Sequence, residues 1–199
     1  MKDIMKEVLL IGPSLEKTKG GMATVISSIL SSNPEEEGYR ITHLVSHVEG
    51  SVTQKVRQAF RSISRMLLKS DYDLVHIHVA SGASFFRKSI FVLIATAKNK
   101  PVILHIHSGR FGSFYSKSSR LSRKYIKYII GKCDKVLVLS DLWKEFIEKN
   151  MKVKSIQVLQ NGVDTEEFKK CEINLRMEIG QTSVDCFFLL PLLIVDGSW

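Results

Sequence analysis

Short, nearly continuous apolar runs recur along the chain at residues 8–11, 41–45, 74–77, 102–104, 136–139 and 156–159. Each is too short for a globular helix, and none alternates apolar with polar. That is the pattern of parallel strands covered on both faces. The segments between them carry helical spacing instead. Val56, Phe60, Ile63, Met66 and Leu67 recur three or four apart, on one side of a helix whose remainder carries Arg57, Arg61 and Arg65; this apolar side is expected to pack on the sheet. Further helices are predicted over 22–31, 86–98, 119–131 and 142–149, the last capped by Ser140 or Asp141. Strand and helix alternate throughout, which predicts an α/β fold with a doubly wound, Rossmann-like parallel sheet.

With 199 residues, 44% of them hydrophobic, the chain can bury one sizeable core. A single domain is expected over 1–170, because the pattern changes after Asn161-Gly162-Val163-Asp164. Beyond it, 173–180 reads as a short helix and 186–195 as an apolar strand, so 171–199 is expected to be the incomplete start of a second domain or a divergent tail. The run 186–195 is broken by Pro191 and falls far short of the roughly 20 residues that span a bilayer. The amino terminus lacks the apolar core and cleavage site of a signal peptide, so a cytoplasmic location is expected. Cys133, Cys171 and Cys186 are odd in number and widely spaced, which suggests neither a disulfide framework nor a zinc knuckle. The net charge of +9 suits phosphorylated substrates, anionic lipid or nucleic acid and does not choose among them.

Open parallel sheets bind ligands at the carboxyl ends of their strands. The first strand ends at Gly12-Pro13 and leads to Gly20-Gly21 before a helix, where backbone amides and the helix dipole can approach a phosphate or sugar. The same glycines also serve a plain turn. The third and fourth strands end in His76-Ile77-His78 and His105-Ile106-His107. No carboxylate or cysteine of ligand type accompanies them, which disfavours a metal. His107, followed by Ser108-Gly109-Arg110, is best placed to donate a hydrogen bond to a sugar hydroxyl or a developing negative charge; a solvated histidine at a strand end is the competing reading. Residues 110–132 interleave seven basic side chains with Phe111, Phe114, Tyr115, Tyr125 and Tyr128. That composition suits either an anionic membrane surface or the wet face of a helix. The basic residues are spread over several helices without a recognition module, so no nucleic acid is expected as partner.

In order and spacing, Gly20-Gly21, His107-Ser108-Gly109, the 136–140 strand and Asn161-Gly162-Val163-Asp164 with Phe168 together resemble the amino-terminal, acceptor-side domain of family 4 glycosyltransferases. The resemblance implies a GT-B fold of two Rossmann-like domains facing a cleft. It also implies retaining transfer of a sugar from a nucleotide-sugar donor to a glycan or lipid-linked acceptor, as in cell-surface polysaccharide synthesis, with no cofactor and usually no metal. By motif, Gly20 and Gly21 would line the donor phosphates and acceptor, Ser108 and Gly109 would contact substrate, His107 would sit beside the transferred sugar as the catalytic residue, and Ser140 would face the cleft. The donor-binding domain normally brings basic residues for the diphosphate and a glutamate pair. Here Pro191-Leu192-Leu193-Ile194 stands where a Gly-Arg turn is expected, so the chain is expected to be inactive alone. The alternative is a non-enzymatic basic module that binds a partner protein or makes peripheral contact with the inner face of the membrane.

Overall fold

A computed structural model describes residues 5–160 apart from Lys17 and Lys19. The expectations for Asn161-Gly162-Val163-Asp164 and for the second-domain start at 171–199 lie outside the described residues. Six strands form one parallel sheet: β1 (Lys6–Pro13), β2 (Tyr39–His47), β3 (Leu74–Val79), β4 (Val102–Ile106), β5 (Lys135–Val138) and β6 (Ile156–Val158), in the order β2-β1-β3-β4-β5-β6. Six helices connect them: α1 (Gly21–Ser31), α2 (Val52–Leu68), α3 (Ala83–Ala97), α4 (Phe111–Lys117), α5 (Arg120–Lys132) and α6 (Asp141–Asn150). Each apolar run found in the sequence is a strand. The fold is the expected α/β, Rossmann-like sheet.

Strand order and the right-handedness of β-α-β crossovers decide which face each helix covers. The step from β1 to β2 runs one way along the sheet, and every later step runs the other way. Among the described helices only α1 therefore lies on one face, where Val25, Ile26 and Ile29 pack on Leu10. The helices from α2 onward meet the opposite face, where Leu9, Ile11, Val75, Ile77, Leu104 and Val136 join Met66, Phe91, Ile129 and Ile147 in the main core. The reversal between β1 and β3 is the topological switch point, where ligands bind in open α/β sheets.

The helix α2 departs from the expectation. It begins with a complete capping box between Ser51 and Gln54. It packs on the sheet by only part of the apolar side that its periodicity singles out: Met66 is buried and Ile63 packs against the core, while the rest of that side is exposed. The side turned inward carries Gln58, whose amide donates to the Val45 carbonyl, together with Ser62 and Met66. Val56, Phe60 and Leu67 are 63%, 73% and 54% exposed. At the other end, the Lys98 ammonium donates to the carbonyls of Met66, Leu67 and Lys69 at 2.9, 2.8 and 2.7 Å. These are carbonyls that the helix end leaves without internal partners. Hydrogen bonds at both ends thus fix which side of α2 faces the sheet.

The aromatic residues of 110–132 are also turned inward, away from the membrane-facing role considered for them. Phe85, Phe111 and Phe114 form a ring cluster with centroids about 6 Å apart, Tyr115 is buried, and the Tyr125 hydroxyl meets Ser89 Oγ at 2.7 Å. Tyr128 alone of the five named in the sequence is well exposed, under the Lys132 ammonium at 5.3 Å. Among the described residues, no helix is long and apolar enough to cross a membrane.

Candidate functional site

The site is built at the carboxyl edge of β1, β3 and β4. Gly20 precedes α1 with φ +133°, a backbone conformation that side chains with a Cβ rarely adopt, and a Cβ there would meet nothing within 4 Å. The turn thus needs a glycine and leaves open space over it. Gly21 is the first residue of α1, and that helix start has neither a capping side chain nor an acidic residue in its first turn. Its first amides and the positive end of its dipole are free to meet an anion. Gly82 at the start of α3 repeats the arrangement with φ +66°.

Four histidines follow from the register. His78 pairs with His105 across β3 and β4, so the alternation of strand side chains puts His76, His78, His105 and His107 on one face, the face of α1. Because β3 and β4 run on to Val79 and Ile106, His76, His78 and His105 lie inside strands and are buried, not at strand ends. His107 alone stands beyond its strand. Its amide donates to the Val79 carbonyl at 2.8 Å, and its Nε2 meets His78 Nδ1 at 2.7 Å. The rings of His105 and His107 lie 3.9 Å apart. His107 is half-buried, against the expectation of a solvated histidine as the alternative to a catalytic one.

Burial decides the charge of this group. It pushes His76 down to about 3, with repulsion from His107 adding. His107 is held down to about 4 by burial and then by the Lys88 ammonium. Burial also holds His78 and His105 well below their ordinary value, reinforced by the neighbouring imidazoles. The quartet is therefore neutral at physiological pH and each ring has one N–H to donate. Several of those nitrogens, including both of His105, Nε2 of His76 and Nδ1 of His107, have no hydrogen-bond partner among the described residues.

Lys88 was not singled out from the sequence. It sits on α3 among apolar neighbours at 2% exposure, and its ammonium donates to the His78 carbonyl and lies 3.5 Å from Met22 Sδ, one residue beyond Gly21. No described carboxylate pairs with it. Burial, with Arg87 adding, pushes its pKa down to about 7. Through these contacts Lys88 ties the Gly20-Gly21 turn to the histidine pair. Its signal in the sequence was a lysine next to Arg87 in the mostly apolar 83–97 helix, which composition alone does not separate from a surface lysine. His43 was missed as well. It flanks Gly12 on the same face, and burial lowers its pKa.

The remaining residues divide. Ser108 Oγ donates to Ser81 Oγ at 3.0 Å and accepts the Arg110 amide at 3.2 Å, so it joins the ends of β3 and β4. Gly109 has open space where a Cβ would stand. Ser140 lies two residues beyond β5, past the same carboxyl edge; it occupies the cap position of α6 with its carbonyl, which accepts the Trp143 and Lys144 amides, while its side chain makes no capping bond. Nitrogens of His76, His78 and His105 all lie within 4.8 Å of one another, close enough to serve one metal ion as ligands, with the Lys88 charge beside His78 opposing a cation.

The family model for Glycosyltransferase Family 4 matches residues 17–167, from the turn before α1 to beyond β6. No curated protein matches the chain. The match spans most of the 199 residues, including the Gly20-Gly21 turn, Lys88 and the histidine quartet, and the chain belongs to glycosyltransferase family 4.

Proposed function

We propose that this domain holds the acceptor and the phosphate side of a nucleotide-sugar donor during retaining sugar transfer. The observation that carries the reading is the convergence at the switch point of an uncapped helix start at Gly20-Gly21, a buried Lys88 ammonium without a described carboxylate, and a neutral His107. The first two offer positive charge and amide donors where a diphosphate leaving group gathers charge, a contribution of several kcal/mol in enzymes generally. Neutral His107 is suited to donating a hydrogen bond to a hydroxyl or carbonyl of the transferred sugar. Ser108, Gly109 and Ser140 line the same edge and supply small, close-approach contacts. The acceptor class that supports this reading is a glycan or lipid-linked saccharide, as in the assembly of cell-surface polysaccharide.

In this reading a second domain holds the sugar and base of the donor, so transfer by this domain alone is expected to be undetectable. The test is nuclear magnetic resonance of the full chain titrated with nucleoside diphosphates, alongside turnover assays with nucleotide sugars. Shifts confined to Gly20, Gly21, Lys88 and His107, without turnover, are expected. Shifts that leave all four unmoved would sink the phosphate role. Robust turnover by the chain alone would sink the need for a separate donor lobe.

A further inference from the structure

The outward side of α2 has no use in the chemistry above. Val52, Val56, Phe60 and Leu67 are 76%, 63%, 73% and 54% exposed and fall on one side of the helix. At 3.6 residues per turn that stripe lies roughly 120° around the axis from the Gln58, Ser62 and Met66 side packed on the sheet. Val52, Val56 and Phe60 line a shallow groove with Arg57 and Arg61. From Ser51 to Ser70 the sequence contains Lys55, Arg57, Arg61, Arg65 and Lys69 and no acidic residue. Among the described residues, none of the first four forms an ion pair. A monomer rarely exposes an apolar row of this length without a partner for it.

We propose that α2 docks this domain on an anionic lipid surface, with the apolar stripe entering the headgroup boundary and the arginines meeting lipid phosphates. Charge complementarity selects the occupant. A second copy would set Arg57 and Arg61 against their own equivalents across a two-fold axis, and nucleic acid would leave the apolar row without a counterpart. A basic helix with a continuous apolar side, about 22 Å from Val52 to Leu67 at 1.5 Å per residue, is the form that lies in a membrane interface. The surface differs from the 110–132 region considered from composition, whose aromatics are mostly turned inward. Because α2 follows the carboxyl end of β2, docking by it would bring the switch-point edge near the bilayer. The inference stands independently of sugar transfer.

The test is co-sedimentation of the full chain with vesicles of neutral lipid and of neutral lipid carrying about 30% anionic lipid, at low and high salt. Binding to the anionic vesicles alone, weakened about tenfold or more by high salt, is expected. The combined variant Arg57→Gln, Arg61→Gln, Arg65→Gln should bind about 100-fold more weakly, at about fivefold per charge. Val56→Ser with Phe60→Ser should lose about tenfold or more. All five side chains are exposed, so the thermal midpoint should be unmoved in both variants, which separates docking from misfolding. Equal binding to neutral vesicles, no binding to either, or unaltered binding by both variants overturns the proposal. Vesicle-free self-association abolished by Phe60→Ser also overturns it, in favour of a second copy.

Discussion

One face of the sheet carries Leu9, Ile11, Val75, Ile77 and Leu104 under α2 to α6; the other carries Leu10, Gly12, His43, His76, His78 and His105 with α1 as the only described helix on it. The first face is closed by interdigitating hydrocarbon. The second buries imidazole nitrogens without hydrogen-bond partners among the described residues and a lysine that lacks a described counter-charge. The same strands therefore build stability on one side and a reactive, poorly satisfied polar surface on the other. Crossover handedness sets this division, since it sends every connection after the first to one side.

The largest effect that separates the faces is acid sensitivity. Above the ordinary histidine pKa of 6.5, folded and unfolded chains both carry largely neutral imidazoles, and the quartet takes nothing from stability. Below it, the unfolded chain takes up protons that the fold refuses until about 4 at His107 and about 3 at His76. Stability therefore falls as pH falls from 6.5 towards 4, at up to about 1.4 kcal/mol per pH unit for each histidine held neutral. Urea denaturation across that interval measures the slope; a flat profile would show that the quartet is hydrated and freely protonated.

Next in size is the apolar face itself. Phe91 is 1% exposed in the main core, and Phe91→Ala is expected to cost about 4 kcal/mol in urea denaturation at pH 7. On the opposite face the sign should reverse. His105→Leu removes two unpartnered buried nitrogens while keeping volume, and is expected to stabilise by about 1–2 kcal/mol at pH 7 and to make the acid slope shallower. A loss instead would show that the imidazole has a partner worth more than its desolvation. The smallest effect is Gly12→Ala, expected to destabilise by about 1 kcal/mol, because the new Cβ meets Ile26 Cδ1 at 2.1 Å and that flexible tip must move.

The apolar face was legible in the sequence because continuous Val, Ile and Leu runs have one economical use, and all six strands were found within a few residues of their ends. The short helix α4 was missed, since Phe111–Lys117 is too brief to show a period. His107 and the Gly20-Gly21 turn were found by position after a strand. Lys88 and His43 were not, because their role depends on which side of a helix or strand meets which neighbour, and that is a property of the packing. The apolar period of α2 was read correctly, and Ile63 and Met66 meet the core as expected, but Val56, Phe60 and Leu67 turn outward. Periodicity locates an apolar stripe without stating what the stripe faces, and here small and polar groups at Gln58 and Ser62 make the fit to β2.

Lys98 gives that direction a mechanical meaning. A helix rolled by a third of a turn would carry Val56 and Phe60 towards β2, a rotation that hydrocarbon burial favours. The same roll would carry three carbonyls away from one ammonium and strip the Gln58 bond from Val45. Lys98 thus acts as a ratchet pawl on α2, holding it at the roll that leaves Val56 and Phe60 outward.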